Sequence, residues 1–455
     1  MEKTVAAIAT PAGVGGSAVV RISGEGAYDV AEKVFAPLSK TKKLREAKGY
    51  TALFGHFTVN GEALDEVVAL CFRAPKSYTG EDVVELSCHG GSAVSQRLLR
   101  ACLDNGAQMA AAGEFTKRAL LNGRISLTQA EAVMDLISAS SQQAAAAAAQ
   151  SMEGALYAKI KSVQDGLITL AGHIAAYTDY PEEDVPELST EELSSALHSA
   201  KAVFDKLIDG YDAGAVLRRG VPTAIVGSPN VGKSTLLNLL SGFDRAIVTS
   251  VAGTTRDVVE QEITLGGVRL LLADTAGIRD TSDIVEAEGI RRSLERLDRA
   301  GLVLAVFDAS QSVSDGDIAL AQKCAGRAAV AILNKTDLEQ KFDFDKLKPY
   351  FAATAEGSAK SEEFSTNIER AVEKALHLNN VDTDTLLLAN ERQLSAAKAA
   401  QSALTDAINA VESGFTLDAA GVCVDDALNA LYSLTGQNAA ADVIDEVFSK
   451  FCVGK

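Results

Sequence analysis

One short motif constrains the fold of this chain more than any other feature. Residues 227–234 are Gly-Ser-Pro-Asn-Val-Gly-Lys-Ser, a complete G-x-x-x-x-G-K-[ST] phosphate-binding loop. It follows the apolar run Ala224–Val226 and precedes an apparent helix over Thr235–Leu240, which is the strand–loop–helix context that such a loop requires. Its glycines let backbone N–H groups face phosphate oxygens at a helix N-terminus. We therefore predict a P-loop domain, with Lys233 on the β and γ phosphates and Ser234 on Mg²⁺.

Three further elements follow in the order expected of a GTP-binding domain. Residues 253–257 (Gly-Thr-Thr-Arg-Asp) suit a switch that senses the γ-phosphate, with Thr255 completing the Mg²⁺ shell. Residues 274–277 (Asp-Thr-Ala-Gly) end a predicted strand, where the Asp can hold Mg²⁺ through water. Residues 334–337 (Asn-Lys-Thr-Asp) end another. Asp337 can accept hydrogens from the N1 and N2 edge of guanine, which adenine lacks, so we predict selectivity for GTP.

The residue that orients the attacking water is not evident from the motifs. Ile278 stands where Ras-like proteins place a glutamine, and an apolar side chain cannot orient water. The charged residues just downstream are the candidates, although the residues alone favour a solvated loop charge for each: Arg279, Asp280, Asp283, Glu286 and Glu288.

The pattern along the chain predicts several domains. Short apolar runs at 224–226, 268–273, 302–308 and 328–333 alternate with polar helices, which is typical of a parallel sheet. Alanine-rich helical texture lies on both sides of this region. We predict a multidomain α/β plus all-α chain with an N-terminal α+β domain (1–116), a discontinuous helical domain (117–215 and 379–455) and an inserted Ras-like P-loop GTPase domain (216–378).

Local signals add detail outside the P-loop domain. Strands are predicted at Val19–Ile22, Thr51–Val59 and Val67–Phe72, and the turn residues Asn60 and Gly61 favour a hairpin. Residues 189–192 (Ser-Thr-Glu-Glu) fit a capping box that opens a helix predicted to run to Leu217.

Composition narrows the class of protein. The chain has 455 residues, 47% apolar and 23% charged, so each domain can bury a core. The N-terminus lacks signal-peptide features and no apolar run is long enough to span a bilayer, so we expect a soluble cytoplasmic protein without membrane contact. Its six cysteines form no CxxC pair. A net charge of −18 argues against non-specific coating of nucleic acid. The basic segment 40–48 is a candidate patch, but a solvated loop explains it better.

The motifs resemble those of the translation-factor-like GTPases, and the flanking sequence is similar to the MnmE (TrmE) family of tRNA modification GTPases. Pro229 and Asn230 inside the loop carry the first resemblance. The second is carried by residues 9–16 (Ala-Thr-Pro-Ala-Gly-Val-Gly-Gly), 20–24 (Val-Arg-Ile-Ser-Gly), 77–86 (Ser-Tyr-Thr-Gly-Glu-Asp-Val-Val-Glu-Leu), 89–91 (His-Gly-Gly), 113–116 (Gly-Glu-Phe-Thr), 119–122 (Ala-Leu-Leu-Asn) and 451–455 (Phe-Cys-Val-Gly-Lys). The resemblance covers essentially the whole chain.

The resemblance implies a specific activity. Members of the family are homodimers whose N-terminal domains bind a tetrahydrofolate derivative (5-formyl or 5,10-methylene) and mediate dimerisation. With the FAD-dependent partner MnmG, in a heterotetramer, they add a carboxymethylaminomethyl (or aminomethyl) group at carbon 5 of the wobble uridine of tRNA. Carried onto this chain, the folate contacts fall on Arg21, Glu85, Arg124 and Lys455. A carboxylate such as Glu85 can accept two hydrogen bonds from the pterin, and the cations suit the glutamate tail. In the family Arg124 is often a lysine.

The resemblance also implies the remaining site residues. GTP contacts fall on Asn230, Val231, Gly232, Lys233, Ser234, Thr235, Thr249, Ser250, Val251, Ala252, Gly253, Thr254, Thr255, Asp274, Thr275, Ala276, Gly277, Asn334, Lys335 and Asp337. Mg²⁺ ligands are Ser234 and Thr255, and K⁺, which replaces an arginine finger in the family, takes oxygens from Asn230, Thr249, Val251 and Thr254. Glu286 matches the family glutamate that orients water. The guanine-side loop is expected at 352–355 (Ala-Ala-Thr-Ala), where the family usually has Ser-Ala.

Two cysteines and one alternative function stay open at this point. Cys452 is either a catalytic thiol in carbon transfer or a packed structural thiol, whereas Cys88 beside His89 is best explained as chance adjacency. The alternative to tRNA modification is a regulatory GTPase switch in ribosome assembly without folate chemistry. Such proteins usually append a basic RNA-binding domain, and the sequence offers no clear candidate for one.

Overall fold

The computed structural model describes residues 3–39, 41–139, 142–179, 189–242, 261–265, 267–272, 300–376, 386–438, 441–449 and 451–454. Its contacts divide the chain into two compact units. The first comprises residues 1–134, 151–198 and 402–455, and the second comprises residues 135–150 and 199–401. The domain boundaries at 116, 215 and 378 stay a prediction.

Seven described strands of the first unit form one sheet in the order β3-β4-β5-β6-β2-β1-β7. Neighbours are antiparallel except for the short parallel pair of β1 and β7. The strands are β1 Val5–Ile8, β2 Ser17–Ser23, β3 Phe35–Pro37, β4 Thr51–Val59, β5 Glu62–Phe72, β6 Val83–His89 and β7 Gln108–Met109.

The hairpin of β4 and β5 confirms the turn predicted from sequence. Asn60 and Gly61 both have positive φ, 53° and 84°, as the two central residues of a type I′ turn require. β4 has the predicted bounds, but β5 begins at Glu62 instead of Val67. Its first five residues, Glu-Ala-Leu-Asp-Glu, lack the regular apolar alternation used for the prediction, yet they pair with β4 as far as Val59.

One face of this sheet carries the main apolar core, whereas the other carries polar side chains beside a smaller apolar cluster of Val5, Ala7, Ala110 and Phe115. Along β2, Ala18, Val20 and Ile22 are buried, whereas Arg21 lies on the opposite face. That alternation is the period-two pattern of a half-buried strand. The covering helices on the buried side are α1 Ala27–Val34 and α2 Ser92–Asp104. The side chain of Arg21 is thereby directed away from the core.

Helices make up most of the remaining first unit, and further helices belong to the second. In chain order they are α3 Glu114–Leu121, α4 Leu127–Ser138, α5 Gln142–Met152, α6 Ala155–Asp179, α7 Thr190–Asp209 and α8 Tyr211–Arg219, with α12 Glu391–Glu412, α13 Leu417–Thr435 and α14 Ala441–Ser449 nearer the C-terminus. The capping box before α7 is confirmed, because Ser189 and Glu192 exchange side-chain-to-backbone hydrogen bonds of 3.2 and 3.3 Å. The single helix predicted to reach Leu217 is wrong. It ends at Asp209, before Gly210, whose missing Cβ disfavours helix.

The second unit contains a predominantly parallel sheet in the order β13-β12-β11-β8-β10-β9, in which only β9 is antiparallel among the described strands. Its strands are β8 Val221–Val226, β9 Gln261–Leu265, β10 Val268–Leu272, β11 Leu302–Asp308, β12 Ala329–Asn334 and β13 Ala353–Glu356, and its helices include α9 Lys233–Ser241, α10 Asp315–Cys324 and α11 Glu363–Ala375. Separate apolar clusters cover the two faces. This is the predicted α/β fold class. The carboxyl ends of the parallel strands β8, β11 and β12 lie at one sheet edge, and there β11 ends at Asp308 and β12 at Asn334.

Among the helices within the described ranges, none combines the length and apolar character needed to cross a membrane.

Candidate functional site

The predicted phosphate-binding loop joins the end of β8 to the start of α9. Gly227 approaches β11 so closely that a Cβ would lie 2.3 Å from the carbonyl oxygen of Val306. Gly232, with φ +101°, precedes the helix, and a Cβ there would lie 2.2 Å from Nδ2 of Asn334. Both glycines are therefore required by close approach, as the motif predicts.

Side chains hold the carbonyl groups of this loop. Nζ of Lys233 donates to the carbonyl oxygens of Gly227 and Ser228 at 2.9 and 2.8 Å. Nζ of Lys335 donates to the carbonyl of Asn230, and Nδ2 of Asn334 to that of Val231, each at 2.8 Å. Hydrogen bonds to these carbonyl groups fix the orientation of the peptide units in the loop, as an anion-binding loop requires.

The electrostatics of Lys233 suit an anionic ligand. Burial lowers the pKa of Lys233, because the charged amine is desolvated. Its hydrogen bonds go to neutral carbonyl groups. A phosphate at the loop would supply the opposite charge that these carbonyls do not provide.

The guanine side of the site lies at the ends of β12 and β13. Asn334 is buried and accepts the backbone N–H of Ala359 at 2.8 Å through Oδ1, while its Nδ2 bonds the phosphate loop. The Ser358 hydroxyl and then the Lys360 ammonium, 3.3 Å away, lower the pKa of Asp337, which favours its ionised form. Asn334 thus connects the phosphate loop with the segment carrying Asp337.

The expected guanine-side loop at 352–355 is wrong. Residues 353–356 form β13, paired with β12 from Val330↔Ala353 onward, so their backbone groups belong to the sheet. The residues that contact Asn334 and Asp337 are Ser358, Ala359 and Lys360. Ser358 and Ala359 are the Ser-Ala pair that the resemblance implied, and they lie three residues beyond the expected loop at 352–355.

Several predicted nucleotide and metal residues lie outside the described residues, and so does one folate residue. They are Thr249, Ser250, Val251, Ala252, Gly253, Thr254, Thr255, Asp274, Thr275, Ala276, Gly277, Glu286 and Lys455. Within the described ranges, no cluster of three His, Cys, Asp or Glu side chains is placed to hold a metal ion. Asn230, Ser234 and Thr235 are exposed at the loop and at the first turn of α9.

A second group of predicted residues meets on the open face of the first unit's sheet. Arg21 and Glu85 are register partners on β2 and β6, and Nε of Arg21 donates to Oε1 of Glu85 at 2.7 Å. The guanidinium of Arg21 lies 5.9 and 5.3 Å from the ring centroids of Tyr78 and Phe115. The pair is largely shielded, with side-chain exposures of 17% and 19%.

The C-terminal segment reaches the same place. Nη1 of Arg21 lies 3.4 Å from the carbonyl oxygen of Gly454. Val453 forms an antiparallel bridge with Ala112, and Gly113 donates to the carbonyl of Cys452 at 3.2 Å. The structure therefore brings the predicted residues Arg21 and Glu85 together with the backbone of the C-terminal motif.

The other predicted side chains of this unit differ in their setting. Arg124 lies beside the turn at Gly80, where a Cβ would be 3.3 Å from its Cγ. Cys452 is exposed. Cys88 is buried with its Sγ 3.5 Å from the carbonyl of Ala18, while Nδ1 of His89 contacts Oδ1 of Asp65 at 2.6 Å. The different partners of Cys88 and His89 agree with chance adjacency.

Comparison with known proteins decides the family. Residues 4–124 match the family model described as GTP-binding protein TrmE N-terminus, and residues 127–452 match the MnmE helical domain. The tRNA modification GTPase MnmE of Clostridioides difficile (strain 630) is 39% identical over 464 residues, covering 100% of both chains. The chain belongs to the MnmE family of tRNA modification GTPases. The protein of that name from Lactobacillus acidophilus is 40% identical, covering 99% of this chain and 98% of its own.

Membership in the MnmE family confirms the predicted enzyme class, a GTP hydrolase of tRNA modification. Among solved structures, Era of Aquifex aeolicus bound to GDP·AlF4⁻ is 23% identical with a TM-score of 0.24, covering 40% of this chain and 66% of that chain.

Sequence reasoning missed functional candidates that the fold makes visible in this MnmE-family chain. Ser358 and Ala359 had a usable signal, because they are the Ser-Ala pair that the family resemblance implied on the guanine side, and Ala359 contacts Asn334. Asp308 had none beyond its place at the end of a predicted strand, yet it contacts Lys335 at 2.6 Å. Tyr78 and Phe115 flank Arg21 only through tertiary packing.

Proposed function

We propose that this protein binds and hydrolyses GTP at the P-loop of its second unit and uses this cycle in modifying tRNA. With a flavoprotein partner of the MnmG type, it adds a carboxymethylaminomethyl group at carbon 5 of the wobble uridine, using a tetrahydrofolate one-carbon unit. Full-length identity of 39% to a curated tRNA modification GTPase is the observation that carries the proposal. We further propose a cytoplasmic homodimer that forms a heterotetramer with that partner.

Within the nucleotide site, we assign phosphate binding to Lys233 and guanine binding to Asp337. When GTP binds, the Lys233 ammonium exchanges its hydrogen bonds with the carbonyls of Gly227 and Ser228 for contacts with phosphate. The phosphate then provides the negative charge that the buried amine lacks. Asp337, held ionised by Ser358 and Lys360, accepts the N1 and N2 hydrogens of guanine. Asn334 bonds both Val231 of the phosphate loop and Ala359 of the guanine-side segment, so it fixes the distance between these two segments.

Two cations fit the chemistry of the exposed oxygens at this loop. The hydroxyl of Ser234, in the first turn of α9, is a hard donor suited to Mg²⁺, with Thr255 as a second proposed ligand. The amide oxygen of Asn230, on an exposed residue at φ 63°, suits K⁺ together with oxygens of Thr249, Val251 and Thr254. When bound, such cations neutralise charge that develops on the phosphates. Glu286 is the proposed water-orienting residue.

The open face around Arg21 and Glu85 fits a folate by its donor set. An ionised carboxylate offers about four lone-pair sites, so the bond to Arg21 leaves Glu85 capacity for two pterin hydrogens. The aromatic rings of Tyr78 and Phe115 lie beside the guanidinium. Arg124 and Lys455 are the proposed partners of the glutamate tail, and Cys452 stays a candidate for either a catalytic or a structural thiol.

The proposed function is tested on tRNA from cells that lack this protein. Mass analysis of the wobble uridine should show loss of the modification, and the wild-type gene should restore it. We expect Glu286→Ala to fail in this complementation, while Cys452→Ser separates a catalytic from a structural thiol. Unchanged wobble uridine in the deletion strain would contradict the proposal.

Binding assays test the two ligand sites separately. Isothermal titration with a reduced folate should give heat that Glu85→Ala abolishes, whereas a pure GTPase switch should give none. Hydrolysis of GTP should be faster in K⁺ than in Na⁺, and Asn230→Ala should remove the difference. Equal turnover in the two salts would contradict the assignment of K⁺.

A further inference from the structure

A continuous chain of contacts links the end of β11 to the phosphate loop. Oδ2 of Asp308 accepts a hydrogen bond from Nζ of Lys335 at 2.6 Å. The same Nζ donates to the carbonyl oxygen of Asn230 at 2.8 Å. Lys335 therefore joins a carboxylate at the sheet edge to the middle of the phosphate loop.

Asp308 is itself fixed on the other side. Its Oδ1 accepts the backbone N–H of Ser310 at 3.0 Å and the Ser310 hydroxyl at 2.6 Å. Its side chain is only 12% exposed. Burial alone would raise the pKa of Asp308, but the bonds from Lys335 and Ser310 outweigh it and lower the pKa. The carboxylate is thus a charged, oriented acceptor whose position does not depend on Lys335 alone.

Lys335 and Asn230 both have a backbone conformation that contacts from neighbouring residues must stabilise. Lys335 has φ 66° and Asn230 has φ 63°, in the left-handed region that residues other than glycine seldom adopt. Such conformations persist where surrounding contacts hold them. The contacts that the structure gives to Nζ of Lys335 are the Asp308 carboxylate and the Asn230 carbonyl.

We propose that Asp308 is a positioning residue for guanine-nucleotide binding, which acts by holding Lys335 against the carbonyl of Asn230. Through this contact it fixes the guanine-side segment to the phosphate loop, so that base and phosphates are bound at a set spacing. The inference rests on the proposed function, because it takes a guanine nucleotide as the ligand. Asp308 acts through Lys335 and is not itself a catalytic residue.

A purely electrostatic role for Asp308 predicts the opposite sign. A carboxylate near a polyanionic ligand repels it, so removal of its charge would strengthen nucleotide binding if no positioning were involved. Positioning predicts weaker binding, since Lys335 loses its anchor. The direction of the change therefore separates the two explanations.

The first test is Asp308→Asn in the full-length protein. The amide keeps an oxygen for Ser310 but removes the charged partner of Lys335. We expect N-methylanthraniloyl-GDP to dissociate about tenfold faster, the size of one charged hydrogen bond. Asp315→Asn removes the same charge from an exposed residue in the first turn of α10 and should leave the rate unchanged. Ser310→Ala, which removes one of the Asp308 contacts, should give a smaller increase.

The second test shows whether the effect passes through Lys335. In a Lys335→Met background, Asp308→Asn should produce no further change in dissociation rate. Additive effects of the two substitutions, or tighter binding by Asp308→Asn, would overturn the proposal. Ser310→Ala keeps the proposal testable if Asp308→Asn does not fold. If the wild-type protein binds no GDP, the proposed function itself fails, which is a distinct outcome.

Discussion

At the scale of single residues, Asn334 determines how closely the two halves of the nucleotide site approach. It is 2% exposed and bonds the carbonyl of Val231 on one side and the N–H of Ala359 on the other. Its amide also fills the space where a side chain at position 232 would lie. The glycine of the motif is therefore required by this asparagine as well as by the phosphate.

Gly232→Ala should abolish nucleotide binding. The added Cβ would meet Nδ2 of Asn334 at 2.2 Å, and φ of +101° disfavours any L side chain. Displacing Asn334 also leaves buried carbonyl and N–H groups unpaired, so we expect GDP affinity to fall by at least about a hundredfold. Fluorescence titration with N-methylanthraniloyl-GDP measures this.

Gly326→Ala is the matched control. Gly326 has φ +74° but no atom within 4 Å of an added Cβ. This variant should lose about 1 kcal/mol of stability from backbone strain and retain wild-type GDP affinity. Equal affinities for both variants would show that the contact with Asn334 is unimportant.

Asp65 gives a prediction about pH. Burial would raise its pKa, but hydrogen bonds from the backbone and ring of His89 outweigh this, so the pKa is lowered. A carboxyl whose pKa is lower in the folded state stabilises the fold above its unfolded pKa of about 4 and loses that contribution as pH falls through the folded value. Asp65→Asn should therefore cost about 1 kcal/mol at pH 7, and this cost should shrink progressively as the pH falls below about 4. Urea unfolding across this range checks it, and a gap that widens in acid would contradict it.

At the scale of secondary-structure elements, the C-terminal segment is held by packing as well as by hydrogen bonds. Phe451 is 7% exposed, and its ring centroid is 4.8 Å from that of Phe448 on α14. Both side chains lie against Gly113, where an added Cβ would be 2.8 Å from Cδ1 of Phe448 and 2.8 Å from Cβ of Phe451. This packing sets where Cys452 and Gly454 lie relative to Arg21.

Phe451→Ala should detach this segment. Loss of a buried phenylalanine costs about 3 kcal/mol, and Gly454 would then no longer be held beside Arg21. We expect reduced-folate binding to be lost while GDP affinity stays within about twofold of wild type. Val453→Ala, at a residue 57% exposed, should change neither. Retention of folate binding by Phe451→Ala would separate the C-terminal segment from the folate site.

Elements with an unambiguous local signal were predicted well from sequence. β11 has its predicted bounds, Leu302–Asp308, because a run of buried apolar residues ends there at a charged side chain. The capping box at Ser189 and the turn at Asn60 were likewise confirmed. In each case the residues that decide the structure are close in the chain, so pattern and structure coincide.

The errors arose where tertiary contacts decide the structure. β13 is Ala-Thr-Ala-Glu, which has little strand character of its own and is a strand because it pairs with β12. The guanine-side loop was therefore placed too early by several residues. The bridge from Asp308 through Lys335 to Asn230 consists of two contacts between residues 27 and 105 positions apart in the chain, and it has no local signature. The sequence motif was sufficient to locate the phosphate loop. The residues that hold this loop in place, Asp308 and Lys335, become apparent only in the folded structure.

At the scale of the whole molecule, the distribution of charge bears on how tRNA is bound. The net charge is −18. The basic segment 40–48 is partly neutralised, because Lys43 pairs with Glu46 at 3.4 Å and Arg45 pairs with Asp29 and Glu32. A surface of this kind repels the phosphate backbone at long range.

We therefore expect tRNA to bind weakly to the protein alone. Non-specific association with nucleic acid depends on the release of counterions by free lysine and arginine side chains, and the pairs in segment 40–48 reduce their number there. Fluorescence anisotropy with labelled tRNA at physiological salt should give a Kd weaker than about 10 µM. The proposed flavoprotein partner should tighten this binding, because its surface would then supply the additional positive charge. A submicromolar Kd for the isolated protein would mean that a basic surface exists elsewhere on the chain, and it would assign tRNA recognition to this subunit instead.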